Sequence, residues 1–261
     1  MRDNIKYYLG PMSKNVVDAV LDFNNIYGIT FGFIPSRRQV DYNGGYVNNW
    51  DTKTFSKYVR SKNNEIIIER DHGGPGQGKI EDDGINSFEN DLKYFDIIHI
   101  DPWKKYPDLD DGTQKTIDLI LYCSKINPQM KFEVGTEEAI RKFDLSEIKT
   151  FLNKLKIRLS TNQFSAIKFV VVQSGISIDL VNMKSGGKYN QSRLRNMVEI
   201  VHDFGKLSKE HNADYLLVEE IKNRMSCGVD AINIAPKLGQ IETCTILDLL
   251  HDDQNLIERL F

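Results

Sequence analysis

The stretch 66–76 of the chain reads IIIERDHGGPG and joins an apolar run to a short polar group and a flexible loop. Its isoleucines predict a strand, Ile66–Arg70, that is covered on both faces, as strands of parallel sheets are. Asp71 and His72 follow where this strand ends, and the glycines and proline after them predict a loop. The stretch therefore indicates a parallel α/β architecture with reactive side chains at the carboxyl end of a strand.

The same pattern recurs along the chain, with short apolar runs that alternate with helical stretches of about ten to fifteen residues. We predict eight strands, at Ile5–Leu9, Ile29–Ile34, Ile66–Arg70, Ile97–Asp101, Lys131–Val134, Lys168–Gln173, Lys206–His211 and Ala231–Ala235. Eight strands in alternation with helices favour a closed (β/α)8 TIM barrel over a doubly wound sheet. We expect residues 1–261 to form this barrel as a single domain.

The predicted helices have the apolar spacing of amphipathic segments. Ser13 is placed to cap the first helix, whose apolar residues share one side. Further helices are expected at 146–157, 191–203 and 218–227, and near 245–260 at the end of the chain. A glycine-rich loop is expected at 185–188, within the sixth crossover.

Composition narrows the classes of function. The chain has 261 residues, a formal net charge of -3 and 40% hydrophobic residues. Near-neutral charge argues against a nucleic-acid partner held by phosphate attraction, and the short apolar runs argue against a membrane span. The N-terminus lacks the apolar stretch of a signal peptide, and Cys123, Cys227 and Cys244 have no CxxC spacing. We therefore expect a cytoplasmic protein with neither a nucleic-acid nor a membrane partner.

Two histidines that are remote in sequence follow strands of the predicted barrel. His72 comes after the third strand and His211 ends the seventh, and the carboxyl ends of all eight strands meet at one mouth. Together with Asp71, which can transfer protons, these imidazoles suit a metal site or an acid–base pair. The alternatives are that Asp71 caps the next segment, that His72 makes a local hydrogen bond, and that His211 lies in a surface turn.

The fourth and fifth strands add further candidates. Alternation places His99 and Asp101 on one face of the fourth strand, with Asp101 at the mouth and His99 one layer below. We interpret Asp101 as a functional residue and His99 as a core residue. Glu133 and Glu137 can each bind a metal or transfer a proton. Glu138 is interpreted as part of a helix N-terminus, where the helix dipole favours acids.

Basic side chains and glycines near the strand ends suit a phosphate group. Lys237 follows the eighth strand and Gly175 follows the sixth, and loops after the last strands are frequent phosphate sites in this fold. Arg37 and Arg38, after the second strand, add positive charge at the same mouth.

The strand ends together resemble those of the class II tagatose-bisphosphate aldolase family, in particular its large subunit, which is often called non-catalytic. Six motifs match in order along nearly the whole chain. The first three are similar to Asn-Gln-Val-Asn-x-x-Gly-Gly-Tyr, Asp-His-Leu-Gly-Pro and Ile-His-Leu-Asp, and they stand here at residues 38–46, 71–75 and 98–101. The others are similar to Gly-Thr-Glu, Val-Gln-Pro-Gly and His-Ser-Thr-Asp-Tyr, and they stand at 135–137, 172–175 and 211–215.

The chain departs from this family pattern at Arg38, Asp41 and Ser174, which suggests a substrate other than tagatose bisphosphate. Class II fructose-bisphosphate aldolases are similar at a further remove, through Asp71-His72-Gly73 and His211. That resemblance implies that Asp71 transfers a proton and that His72 and His211 bind zinc. The third histidine ligand of those enzymes, after the sixth strand, has no counterpart here.

The resemblance implies a lyase that cleaves a phosphorylated ketose into an aldehyde and a triose phosphate such as dihydroxyacetone phosphate. A divalent ion held by His72, His211 and Glu133 is expected, with zinc first and Mn, Co or Mg as alternatives. The expected catalytic residues are Asp71, Asp101, Glu137 and Asp214. The expected substrate and phosphate contacts are Arg37, Arg38, Gln39, Ser174, Gly175, Asn212 and Lys237.

Two other functions stay open from the sequence. Family precedent allows a non-catalytic subunit that stabilises a separate aldolase. The same barrel also supports a metal-dependent sugar-phosphate epimerase or isomerase. The expected partners are a sugar phosphate and either a second aldolase subunit or further copies of this chain.

Overall fold

A computed structural model describes residues 5–251 and 254–259 of the chain, and within them strands alternate with helices. The strands are β1 (Tyr7–Leu9), β2 (Gly32–Phe33), β3 (Ile67–Gly73), β4 (Ile97–Ile100), β5 (Lys131–Val134), β6 (Ile167–Val172), β7 (Ile176–Asp179), β8 (Lys184–Gly187), β9 (Leu207–Glu210) and β10 (Ala231–Ile234). The helices are α1 (Lys14–Tyr27), α2 (Thr52–Lys62), α3 (Ile85–Tyr94), α4 (Leu109–Ile126), α5 (Leu145–Arg158), α6 (Thr161–Ala166), α7 (Gln191–Asp203), α8 (Val218–Ser226), α9 (Pro236–Leu249) and α10 (Gln254–Glu258).

Parallel strands close into a barrel in the order β1-β10-β9-β6-β5-β4-β3-β2. β1 pairs with β10 through Tyr7 and Ile232 and with β2 through Tyr8 and Gly32, which completes the ring. The predicted (β/α)8 TIM barrel is confirmed, and each of the eight predicted strands has a counterpart in it. The assignment of residues 1–261 to one domain stays a prediction.

An antiparallel hairpin of β7 and β8 follows β6 outside the barrel. It stands where the sequence predicts a glycine-rich loop, and Ile176 pairs with Gly187 while Asp179 pairs with Lys184. Each of its strands has only four residues. Alternation over so short a run does not distinguish a strand from a loop, so the sequence pattern misses the hairpin.

Several boundaries shift by one to three residues, and two elements differ more from the prediction. β2 is paired only at Gly32–Phe33, instead of over Ile29–Ile34. α9 already begins at Pro236, where proline suits the first turn because its missing N–H needs no partner. The expected helix near 245–260 is therefore divided between α9 and α10, and residues 252, 253 and 260 lie outside the described part of the chain.

The interior of the barrel is apolar around Tyr8, Ile67, Ile97 and Phe169, which pack against one another. The apolar faces of the helices cover the outside of the strands. Ser13 caps α1 as predicted, since its Oγ accepts the Val16 N–H at 3.1 Å. Among the described residues, no helix combines the length and the apolar character that crossing a bilayer requires.

Lys206, which precedes β9, provides a test of burial at the end of the barrel opposite the mouth. Burial and, to a smaller extent, the charge of Lys131 lower the pKa of Lys206 to about 8. Between pH 8 and the ordinary lysine pKa of about 10.4, the unfolded chain keeps a proton that the folded chain releases. The free energy of unfolding should therefore rise with pH in this window, by at most about 1.4 kcal/mol per pH unit from this group.

A Lys206→Met variant should lack this contribution to the pH dependence. Urea unfolding of the parent and the variant at pH 7.0 and at roughly pH 9.5 measures it, because the window opens near pH 8. We expect the parent to gain stability relative to Lys206→Met at the higher pH. Parallel pH dependences would show that the Lys206 ammonium is not destabilised by burial.

Candidate metal centre

β3 ends in a distorted segment that carries Asp71 and His72. Its pairing with β4 shifts register just before Gly73, and His72 has φ 44, a conformation that costs a non-glycine residue about 1–3 kcal/mol. Two contacts hold His72 there. Its N–H donates to His99 Nδ1 at 3.3 Å, and its own Nδ1 lies 2.6 Å from Asp101 Oδ2.

Four side chains meet at the carboxyl end of the barrel. Metal-binding atoms of Asp71, His72, His99 and His211 all lie within 4.8 Å of one another. The three imidazole rings form a triangle with centroid separations of 5.1, 5.2 and 5.3 Å. The structure thus places His72 and His211 together at one mouth and adds His99, which the sequence pattern assigns to the core.

One nitrogen of each imidazole is held by an oxygen acceptor. The contacts are His72 Nδ1 to Asp101 Oδ2 at 2.6 Å, His211 Nε2 to Glu133 Oε1 at 2.6 Å and His99 Nε2 to the Gly135 carbonyl at 3.0 Å. Because carboxylate and carbonyl oxygens only accept, these ring nitrogens carry the protons. The opposite nitrogens of His72 and His211 lie 3.8 and 3.9 Å from Asp71 Oδ1. Acceptors behind imidazoles in this way orient them as metal ligands.

The ionisation of the cluster also suits a cation. Burial lowers the pKa of His99 to about 3 and, together with the neighbouring His72, lowers the pKa of His211 well below its ordinary value. For His72, burial also disfavours the charged form, but the carboxylates of Asp71 and Asp101 outweigh it and raise the pKa well above its ordinary value. The site therefore offers neutral imidazoles at His99 and His211, and carboxylates that favour positive charge next to His72.

Glu133 lies below this cluster, although the sequence predicts it as a metal ligand. Its Oε1 accepts the His211 Nε2–H, and its Oε2 accepts a hydrogen bond from the buried Lys209 ammonium at 2.9 Å. Both oxygens are therefore engaged, whereas His99 lies within the cluster of metal-binding atoms, with its Nδ1 accepting the His72 N–H at 3.3 Å. His99 is fully buried, as predicted for a core residue one layer below Asp101, but strand alternation does not show that this layer lies within reach of His72 and His211.

Asp101 lies behind His72 and supports its imidazole ring. Its carboxylate is fully buried and accepts hydrogen bonds from Thr136 Oγ1 at 3.0 Å and from the Trp103 N–H at 3.2 Å. Oδ2 also faces His72 Nδ1. These contacts engage Asp101 as a support for the imidazole, and its catalytic role stays a prediction.

Asp214 caps a helix, although the sequence predicts a catalytic role for it. Its Oδ1 accepts the N–H groups of Ala235 at 2.8 Å and Lys237 at 3.0 Å, at the start of α9. A carboxylate in this position satisfies helix N–H groups and favours the positive end of the helix dipole. Asp214 is buried and also borders the cavity above the cluster, so its catalytic role stays a prediction.

A cavity of about 230 Å³ opens above the cluster. Its lining includes Asp71, His72 and His211, together with Tyr46 and Ile178 from the flanking loop and hairpin. Glu137 and Asn212 lie at the same wall, where Asn212 Nδ2 donates to Glu137 Oε2 at 2.5 Å. Asn212 has φ 65, which turns the chain sharply after β9.

The predicted phosphate contacts divide into engaged and exposed groups. Arg37 is buried and paired with Asp41 at 2.9 Å and with Asp82 at 2.6 Å, so its guanidinium stabilises the loop after β2. Gln39 is buried in the same loop and accepts the Ser36 N–H. Both residues therefore support the loop structure; Arg37 also lines the open groove and Gln39 the central cavity, so their contact with substrate stays a prediction.

The other predicted phosphate contacts lie around the mouth. Ser174 and Gly175 accept the N–H groups of Asn190 and Lys188 through their carbonyls, which closes the base of the hairpin. Lys237 is half-buried in the first turn of α9. Arg38 is exposed in an open groove of about 1000 Å³ that shares Tyr46 with the central cavity, and Lys79 lines the same groove.

Comparison with known proteins identifies the fold. No protein-family model and no curated protein sequence matches the chain. Among solved structures, a probable tagatose 6 phosphate kinase from Sinorhizobium meliloti 1021 superposes with a TM-score of 0.70 at 15% identity, over 89% of this chain and 65% of that one. This chain thus spans less than two thirds of that protein's length.

Two aldolases superpose almost as well. The YdjI aldolase from Escherichia coli K12 has a TM-score of 0.68 at 14% identity, over 95% of this chain and 81% of that one. Fructose-bisphosphate aldolase from Campylobacter jejuni has a TM-score of 0.64 at 11% identity, over 90% and 72% of the two chains. The chain therefore shares the (β/α)8 barrel fold of the class II aldolases.

Proposed function

We propose that this chain is a divalent-metal-dependent lyase that cleaves a phosphorylated ketose by aldol chemistry of the class II type. The observation that carries the proposal is the triangle of His72, His99 and His211 with Asp71 beside it, at the mouth of an aldolase-type barrel. A set of imidazoles with a neighbouring proton-transfer group is what metal-assisted cleavage of a carbon–carbon bond needs.

The donor set fits a divalent metal ion. His72 and His211 would hold it together with His99, whose Nδ1 would exchange the His72 N–H for the ion, and three imidazoles are a ligand set of catalytic zinc sites. Imidazole ligands favour Zn over Mg and also accept Mn or Co. When bound, the ion supplies Lewis-acid polarisation of the carbonyl and hydroxyl oxygens of the ketose.

The side chains of the cavity would bind the sugar and move its protons. Asp71 would take the proton from the hydroxyl that becomes the aldehyde, because its carboxylate lies among the imidazoles and is 16% exposed. Glu137 and Asn212 line the same wall and can form hydrogen bonds to sugar hydroxyls. Ile178 and Tyr46 border the cavity on the side of the hairpin and of the loop after β2.

The phosphate group would bind at the rim of the mouth. Arg38 and Lys79 are exposed in the groove next to Tyr46, whereas Arg37 is neutralised by Asp41 and Asp82. Lys237 is a third basic candidate. The partner that we propose is accordingly a sugar phosphate whose charged end lies outside the central cavity.

Incubation of the metal-loaded protein with ketose phosphates tests this function. The panel contains fructose 1,6-bisphosphate, tagatose 1,6-bisphosphate and ketose monophosphates, and a coupled NADH assay measures triose phosphate release. We expect release from at least one ketose, loss of activity on chelation, and recovery when Zn, Mn or Co is added back. Chelation should abolish turnover because the polarising group is removed.

Product analysis separates this proposal from its alternatives. NMR spectra that show an isomeric sugar in place of two fragments would favour an epimerase or isomerase. A metal-loaded chain that cleaves none of the ketoses, but raises the activity of a separate aldolase subunit, would favour the stabilising role. Either result would overturn the proposed lyase activity.

A further inference from the structure

A network of charged residues lies inside the barrel, directly below the candidate metal centre. It consists of Glu69 on β3, Glu133 on β5 and Lys209 on β9, all of them buried. Tyr8 on β1 lies against it. These four residues come from alternate barrel strands, as the side chains of one interior layer do. Bulky branched apolar side chains usually fill such a layer in this fold. Charged groups there need a specific compensating role, because burial disfavours them strongly.

Lys209 is the centre of this network. Its Nζ donates to Glu69 Oε2 at 2.7 Å and to Glu133 Oε2 at 2.9 Å, and it lies 3.9 Å from the centroid of the Tyr8 ring. The ammonium is thus surrounded by two carboxylates and the face of an aromatic ring. Three fixed partners leave it little freedom to move.

Glu133 connects this ammonium to the candidate metal centre. One of its oxygens accepts from Lys209, and the other accepts the His211 Nε2–H at 2.6 Å. A carboxylate that is anchored at one oxygen keeps its second oxygen in a fixed place. His211 is therefore held in the tautomer and the ring orientation that leave Nδ1 on the side of Asp71.

We propose that Lys209 is a positioning residue, which acts through Glu133 to orient His211 as a metal ligand. This inference rests on the proposed metal-dependent function and adds to it a residue that lies below the substrate cavity. Lys209 is not among the described residues that line that cavity, so it acts without touching substrate. In its absence, Glu133 is free to rotate and His211 loses its fixed acceptor.

Metal affinity tests this inference independently of catalysis. Zn affinity is measured by competition with a chromophoric chelator, and the visible spectrum of the Co(II)-loaded protein reports the ligand geometry. We expect Lys209→Met to weaken metal binding about 10–100-fold, the usual effect of removing support behind a ligand. Lys209→Arg keeps a cation that can bind Glu133, and it should restore most of the affinity.

A matched control distinguishes positioning from packing. Tyr8→Phe changes the same buried layer but leaves the contacts of Lys209 with both glutamates unaltered. It should keep metal affinity and the Co(II) spectrum close to those of the parent. Equal losses of Zn affinity in Tyr8→Phe and Lys209→Met would show that packing, rather than the link to His211, determines the affinity.

A second variant keeps the test decisive if Lys209→Met does not fold. Glu133→Gln preserves the shape of the side chain but removes the carboxylate that joins Lys209 to His211. It should also weaken Zn binding, and in the double variant the two losses should not add, because both changes break one connection. Metal affinity of Glu133→Gln equal to that of the parent would overturn the inference.

The outcomes separate this inference from the proposed function. A parent that binds Zn but cleaves no ketose phosphate contradicts the lyase activity and leaves the role of Lys209 intact. A parent that cleaves ketoses, with Zn affinity unchanged in both Lys209→Met and Glu133→Gln, supports the lyase activity and overturns the role of Lys209.

Discussion

Replacement of Asp71 with asparagine is expected to lower kcat for ketose cleavage by about 10²–10⁴-fold, the usual contribution of a positioned acid or base. The carboxylate lies 3.8 Å from His72 and 3.9 Å from His211, so it is adjacent to any ion that the imidazoles hold. Burial raises its pKa to about 6. It is thus a stronger base than an exposed aspartate and suits proton transfer near neutral pH.

The measurement is single-turnover cleavage by metal-loaded parent and Asp71→Asn protein, with the zinc content of each determined. Asp22→Asn, an exposed substitution on α1, is the matched control and should retain parental activity. Parental kcat in Asp71→Asn would remove Asp71 from the proton-transfer role. A loss of zinc in that variant would identify Asp71 as a metal ligand instead.

The second large effect concerns the free energy of unfolding, and it arises from the buried pair between Asp91 and Arg70, the residue before Asp71. We expect Asp91→Ala to lower the free energy of unfolding by about 3–5 kcal/mol, because it leaves a buried charge without its partner. Arg70 and Asp91 are fully buried, and two guanidinium nitrogens each lie 2.7 Å from a carboxylate oxygen. Arg70 also donates to the carbonyls of Pro35 and Val40.

This loss would be a large part of the total, since domains are usually stable by about 5–15 kcal/mol. Urea unfolding of the parent and of Asp91→Ala measures it. Glu219→Ala, which breaks an exposed pair with Lys222, should change stability by no more than about 0.5 kcal/mol. A loss below about 1 kcal/mol in Asp91→Ala would mean that water or a neighbouring group compensates the Arg70 charge.

The contacts of Arg70 explain why the buried pair matters for the site. Pro35 and Val40 belong to the loop after β2, and that loop also contains Arg37 and Gln39. Arg70 thus ties the loop to the strand that presents Asp71. A destabilised pair should loosen one wall of the cavity above the candidate metal centre as well as the core.

The sequence determined the barrel and the end of the barrel at which the site lies. Short apolar runs in alternation with amphipathic helices leave few other architectures, because each strand must be covered on both faces. Since parallel strands end at a common mouth, the convergence of His72 and His211 followed from their position after the third and seventh strands. These conclusions depend on local patterns and on the topology alone.

The tertiary structure decided which polar side chains meet at the mouth, which of them lie below it and which cap a helix. Alternation gave the faces of His99 and Glu133 and the layer of His99 below Asp101, but it did not give the neighbours of either side chain, which depend on the pairing of β4 and β5 with the strands beside them. His99 therefore joins the imidazole triangle, and Glu133 lies below it beside Lys209. The role of Asp214 depends on where α9 begins, which the sequence pattern placed too late.

Partners that are distant in sequence are the physical reason for this division. A charged side chain is free to bind substrate or metal only when no nearby group of the opposite charge and no hydrogen-bond partner already engages it. For Glu133 the partner is 76 residues away at Lys209, and for Arg37 one partner is 45 residues away at Asp82. Local spacing fixes strands and helices, whereas the folded barrel alone brings such pairs into contact.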